Sequence, residues 1–375
     1  MAETFFITGA TGFVGGRLTE RLTETGARVR CLARPTSNRK RLEALGVEFV
    51  DGDLTDRAAL RRGVEGADVV FHLAGMVFEL RRGGFDAVNR GGTRNVAEVC
   101  AEVGKASGQA PTLVAVSSLA AAGPAPKIDK MSANGKSDEG DAAERVFDGR
   151  RLKRETDLPN PISSYGRSKL AGERELLRFA DATPTTIIRP PYVFGFGDSA
   201  STPLYKMAKN QGVFLIPGWL NRYYSFVNVD DLASVLIAAA ERGERAATTS
   251  LDPIEDAEGG AARCSGRGIY FATAPNPIRF SEYGAAVGSA FGRKKTRTIK
   301  IPPMGVLGAG VYGEIVKIVT KGKPLFDWNK AMEALGGPWA CSDAKAARDL
   351  GVRAQTPLAE QFAATAEWYL RKGWV

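Results

Sequence analysis

The sequence predicts an α/β protein: a doubly wound parallel sheet with a smaller C-terminal lobe. Two observations lead there. Short apolar runs alternate with stretches of helical periodicity through the first half of the chain, and the first run passes directly into a glycine-spaced turn that opens a helix. Such alternation buries a parallel sheet under helices on both faces.

Taken in order, strands are expected at 4–8, 28–32, 48–51, 69–72 and 113–117, with helices at 12–25, 38–45, 55–64 and 91–103 between them. Residues 164–180 continue the helical pattern and 186–188 form another buried strand. Beyond these lie a strand at 268–273, a helix at 280–291 with Ser281 as its N-cap, and a mostly apolar helix at 302–319. The predicted organisation is a nucleotide-binding unit over 1–195 that also takes in about 225–245, and a substrate-binding lobe from 196–224 and 268–375. Segments 124–161 and 242–267 are rich in charge and glycine and are expected as inserted surface excursions, the first a candidate lid.

Composition narrows the function. The 375 residues are 44% apolar and 25% charged, ordinary for a globular protein, with a formal net charge of +9. The basic residues are spread along the chain among 42 acidic ones, which excludes a nucleic-acid module and leaves a surface suited to phosphorylated small molecules or anionic lipid. Four dispersed cysteines form no CxxC pair, as in a reducing compartment. No signal-peptide pattern opens the chain and no apolar run reaches a bilayer-spanning length, so a cytoplasmic location is expected. His72 is the only histidine, so a multi-histidine metal site is excluded and no metal is expected.

After the first strand comes Thr8-Gly9-Ala10-Thr11-Gly12-Phe13-Val14-Gly15. Gly9 permits the tight turn, Gly12 lets backbone approach a pyrophosphate, and Gly15 lets helix pack on strand; the helix N-terminus then faces the phosphate charge. A reader of the unphosphorylated ribose places a carboxylate about 20 residues on. Here that stretch ends in Arg34, followed by Arg39 and Lys40, which suits a 2′-phosphate through charge-assisted hydrogen bonds. NADP(H) is therefore the expected cofactor, with NAD(H) second.

Downstream, Tyr165 and Lys169 stand four apart on one helical face. A neighbouring ammonium and the positive charge of an oxidised nicotinamide should favour phenolate and lower the phenol from its usual value of about 10. The strand before 117 ends in Ser117-Ser118, whose hydroxyls could hold a substrate oxygen while Tyr165 exchanges a proton.

This ordered set resembles the extended short-chain dehydrogenase/reductase family, which includes epimerase/dehydratase and 3β-hydroxysteroid dehydrogenase-like enzymes. The resemblance implies a Rossmann-like sheet and a Ser-Tyr-Lys site of Ser118 (Ser117 second), Tyr165 and Lys169. It implies cofactor contacts from Gly9, Thr11, Gly12, Phe13, Val14, Gly15, Arg34, Asp53, Leu54, Ala74, Tyr165, Lys169, Pro190 and Val193. Asn89 matches the family's structural asparagine, and His72 becomes a strand residue. The resemblance leaves the substrate open. The Tyr223-Tyr224-Ser225-Phe226 stretch, where sugar-nucleotide enzymes place an arginine, together with the apolar lobe residues, points to a hydroxyl/ketone interconversion on a lipophilic, sterol-like molecule. A nucleotide-sugar epimerase or dehydratase is the alternative, and a non-catalytic cofactor sensor a third reading. The family's frequent homodimers make a second copy an expected partner. Helix 302–319, with Lys300 and Lys321 at its flanks, suits either a core or a peripheral contact with a bilayer surface.

Overall fold

The computed structural model describes residues 3–79, 83–127, 146–147, 149–254, 262–322, 324 and 326–375. Seven strands build the main sheet: β1 (Thr4–Thr8), β2 (Arg28–Ala33), β3 (Glu48–Asp51), β4 (Val69–His72), β5 (Thr112–Val116), β6 (Thr185–Arg189) and β7 (Ile269–Phe271). All their pairings are parallel, in the order β7-β6-β5-β4-β1-β2-β3. The order reverses between β1 and β4, so the crevice beyond their carboxyl ends is where a ligand fits in such sheets.

Period-two alternation explains both covered faces. Phe5 and Ile7 of β1 and Val114 of β5 pack into one hydrophobic cluster, while Phe6, Leu113 and Ala115 enter the other. Helices Phe13–Thr23 and Val229–Arg242 cover the first face. Helices Arg57–Val64, Thr93–Ser107 and Ser164–Leu177 cover the second. A separate aromatic cluster of Phe194, Tyr205, Phe214, Phe226, Tyr283 and Phe362 joins helices Thr202–Gln211, Phe280–Ala290 and Leu358–Arg371. Beside it, strands Val213–Pro217 and Arg297–Ile301 pair in parallel.

Several expectations change. Helix 280–291 is capped by Arg279, not Ser281: Glu282 accepts from the Arg279 backbone N–H, and Ser281 Oγ instead accepts from Asn221. The helix expected at 91–103 continues to Ser107 and is preceded by a π-helical turn, Asp86–Gly92, that carries Asn89. The two segments expected as surface excursions are partly core. Residues 128–145, 148 and 255–261 lie outside the described residues, and with them half of the lid candidate. Of the remainder, Lys153, Glu155, Asp157, Ser250 and Cys264 are buried. Glu155 Oε1 accepts from the backbone N–H of Phe271, so its carboxylate caps the open edge of β7. Charged composition misled because these charges are partnered inside, not solvated. Among the described residues, no helix is long and apolar enough to cross a membrane.

Candidate functional site

The glycine turn sits at the reversal of strand order. Gly9 has φ +81°, and a Cβ there would strike the Ala74 backbone at 2.5 Å. One on Gly15 would lie 2.2 Å from Gly9 O, so only glycine lets the Phe13–Thr23 helix start this close to β1. Gly12, the N-cap, differs: its Cβ would meet only Gly9 O, at 3.2 Å. Its outer side is exposed, and no acidic residue stands in the helix's first turn. Exposed Thr11 and half-buried Phe13 and Val14 complete the rim. These residues fit a dinucleotide pyrophosphate: open backbone, a helix N-terminus and no competing charge.

Around the turn, the remaining expected contacts divide. Ala74 packs against Gly9, and Arg34 is exposed at the end of β2. Arg39 does not stand free behind Arg34. Its guanidinium donates to Ala33 O at 2.6 Å and to Asp51 at 2.5 Å, and lies over the Phe49 ring, because a half-buried cation this near a carboxylate is held by it. The Asp53 carboxylate accepts from the backbone and hydroxyl of Thr55, which hold it below the usual carboxylate range. Leu54 is buried in the core, with its carbonyl accepting from Asn95. Leu119 N–H ties to Pro190 O, and Val193, on strand Tyr192–Phe194, is half-buried.

His72 is a buried strand residue. Its Nδ1 shares a hydrogen bond with Thr8 Oγ1 (2.8 Å) and its Nε2 one with Thr93 Oγ1 (2.9 Å), knitting β1, β4 and the Thr93–Ser107 helix. Burial, with the nearby Lys169 charge, pushes its pKa down to about 3.

Ser118, Tyr165 and Lys169 converge. Ser118 N-caps a short helix, Leu119–Ala122, accepting from Ala120 N–H at 3.1 Å, and shares the cavity wall with Tyr165. Among the described residues the buried Ser117 hydroxyl has no partner and does not line the cavity, so geometry favours Ser118. Lys169 Nζ donates to Val116 O at 2.8 Å and lies beside Gly75. In the protein alone the phenol is raised, not lowered. Burial pushes Tyr165 up to about 12, against the lowering influence of Ser118, while Glu333 adds to the rise. Burial likewise pushes Lys169 down to about 8, against the pull of Glu173.

Two polar clamps hold the helix that carries the pair. Asn89 donates to Met76 O and Ser168 Oγ, both at 2.9 Å, and accepts from Met76 N–H at 2.7 Å; Ser168 donates to Tyr165 O. Arg189, at the end of β6, makes a bidentate pair with Glu173 at 2.8 and 2.6 Å, both side chains fully buried.

The sequence reading missed the far wall of the site. Helix Trp328–Gly336, N-capped by Asp327, lies across the start of the Tyr165 helix. Ser163 Oγ donates to Glu333 at 2.5 Å, and Ser164 N–H donates to Asn329 at 2.9 Å. An Asp followed by helical spacing signals the helix; nothing in the spacing signals what it covers. The result is a cavity of about 640 Å³ with Ser118 and Tyr165 in its wall. Its other walls are mostly apolar, including Tyr192, Leu204, Leu215, Phe280 and Val306, with Lys330 as the sole cation among the described residues.

A family profile, "NAD dependent epimerase/dehydratase family", matches residues 5–250. A ceramide reductase of Caulobacter vibrioides is 29% identical over 369 residues, covering 98% of this chain and 95% of that protein. A 3β-hydroxysteroid-dehydrogenase/decarboxylase (isoform 1) of Arabidopsis thaliana is 28% identical over 318 residues, 77% of this chain and 63% of that protein. Among solved structures, gox2253 aligns with a TM-score of 0.69 at 22% identity, over 100% of this chain and 99% of that one. The glycine turn at the sheet reversal, the clustered Ser, Tyr and Lys and the profile match agree: this chain belongs to the NAD dependent epimerase/dehydratase family of extended short-chain dehydrogenases/reductases, and is an NAD(P)-dependent oxidoreductase-type enzyme.

Proposed function

We propose that this protein is an NADP(H)-dependent oxidoreductase that interconverts a hydroxyl and a ketone on a lipophilic substrate. The observation that carries the reading is the cavity: large, apolar-walled, and bounded by Ser118 and Tyr165. The ceramide reductase and steroid dehydrogenase relatives are named for lipophilic substrates, which supports the same class.

In this reading Ser118 donates a hydrogen bond to the substrate oxygen. Tyr165, protonated at neutral pH as an ordinary phenol is and raised further by burial, delivers its proton to the oxygen as charge develops there. Lys169, held by Val116 O, sets the field beside that phenol. A bound nicotinamide supplies the hydride. A protonated phenol at rest suits ketone reduction, which agrees with the NADP(H) preference argued from Arg34.

A nucleotide sugar fits this cavity less well. Its pyrophosphate carries two negative charges, whereas the lining offers Lys330 offset by Glu333. Arg222, the arginine before Tyr223, donates to Leu335 O at 2.9 Å and is not in the lining.

The test is NADPH oxidation with long-chain ketones, ketosteroids and nucleotide sugars. Long-chain or steroid ketones should be turned over, and Tyr165→Phe should lower kcat roughly 10²- to 10⁴-fold while NADPH affinity, read by fluorescence titration, is kept. Turnover of nucleotide sugars alone, or a Tyr165→Phe enzyme at full rate, overturns the reading.

A further inference from the structure

Helix Pro303–Thr320 is half-committed to the fold. Its inward face carries Val306, Gly310 and Gly313, where a Cβ at Gly310 would meet Ala331 Cβ at 2.9 Å and one at Gly313 would meet Phe326 O at 2.0 Å. These glycines seat the helix against the segment leading into Trp328–Gly336. The outward face consists of Met304, Val311, Tyr312, Ile315, Ile318 and Val319, all exposed, with Met304 and Ile318 at 78% and Val319 at 74%. At 100° per residue they fall within one stripe of roughly 120°. Exposed apolar surface of this extent marks a contact site in a water-facing protein.

Two features specify the occupant. The first is charge. From Arg293 to Lys321 the sequence holds seven Lys or Arg and one acid, Glu314. Lys300 precedes the helix and Lys321 follows it; both are exposed, and neither pairs with a carboxylate among the described residues. Beside the helix start, Gly218 N–H donates to Ile301 O, which places exposed Trp219 and Leu220 next in the chain. An apolar stripe flanked by lysines with an adjacent tryptophan is the composition of a helix lying in a bilayer interface. The second feature is continuity with the cavity. Gly305 and Ala309, on the edge of the stripe, are exposed and also line the cavity that holds Ser118 and Tyr165.

The geometry points to docking on an anionic phospholipid surface: the outward face of helix Pro303–Thr320 enters the interface between Lys300 and Lys321, and the cavity mouth along Gly305 and Ala309 opens toward the acyl chains. A hydrophobic molecule would then pass from lipid to site without crossing water.

Co-sedimentation of the full chain with phosphatidylcholine vesicles, with and without phosphatidylglycerol, tests this independently of turnover. The protein should sediment with anionic vesicles at low salt and be released as salt rises. Ile315→Asp/Ile318→Asp should weaken binding at least tenfold with an unchanged circular dichroism spectrum. Lys300→Gln/Lys321→Gln should weaken it about 25-fold, since each basic residue at an anionic surface contributes roughly fivefold. Three outcomes overturn the proposal: no anionic binding by the wild type, equal binding by the Ile315/Ile318 variant, or a wild-type dimer that ignores vesicles and that the variant dissociates.

Discussion

The single histidine gives a prediction whose magnitude follows from its site. His72 is buried between Thr8 and Thr93, with Lys169 close enough to disfavour a second positive charge. Its pKa falls from 6.5 to about 3 in the folded protein, so between those values the unfolded chain binds the extra proton. Stability from this residue is therefore complete above pH 6.5 and is lost as pH falls toward 3. At about 1.4 kcal/mol per pH unit, the loss amounts to about 2 kcal/mol at pH 5. Carboxylates titrate in the same range, so the measurement is a difference: urea unfolding of wild type and His72→Gln at pH 7 and pH 5. The wild type should lose about 2 kcal/mol more than the variant. Because no other imidazole interferes, NMR can follow the ring directly, and it should stay neutral at pH 5. A ring that titrates near 6.5, or equal losses in both proteins, refutes the reasoning.

Other outcomes follow from the same geometry. Gly12→Ala should cost less stability than Gly15→Ala, since its Cβ would lie 3.2 Å from Gly9 O against 2.2 Å, yet weaken NADPH binding at least tenfold by closing the backbone approach to phosphate. Gly15→Ala should instead destabilise by roughly 1–3 kcal/mol, as overpacking against Gly9 O demands; equal effects on stability would refute the division of labour. Glu173→Gln strands the buried Arg189 charge and should cost about 3–5 kcal/mol in denaturant unfolding, and a loss under 1 kcal/mol would contradict it. Arg34→Ala should raise KM for NADPH roughly tenfold to a hundredfold, the worth of a hydrogen bond to a charged group, without moving KM for NADH; a parallel rise in both would remove the phosphate role.

By itself the sequence determined the sheet and the helix that carries Tyr165 and Lys169. Period-two apolar runs and glycine spacing are local signals, and in the Gly9–Gly15 turn the local chemistry permits one arrangement, because a Cβ at Gly15 would collide with the Gly9 backbone. The Tyr165 and Lys169 spacing was local in the same sense. What the tertiary structure decided is everything that depends on partners far along the chain. Ser118, not Ser117, shares the cavity wall with Tyr165, and the phenol rises instead of falling because burial outweighs the lowering influence of Ser118. Glu155 and Lys153, which read as solvated, are core residues because β7 and the Ala340–Ser342 stretch supply their surroundings. Helix Trp328–Gly336 closes the cavity from 170 residues away along the chain, a distance at which periodicity carries no information and only packing chooses the neighbour.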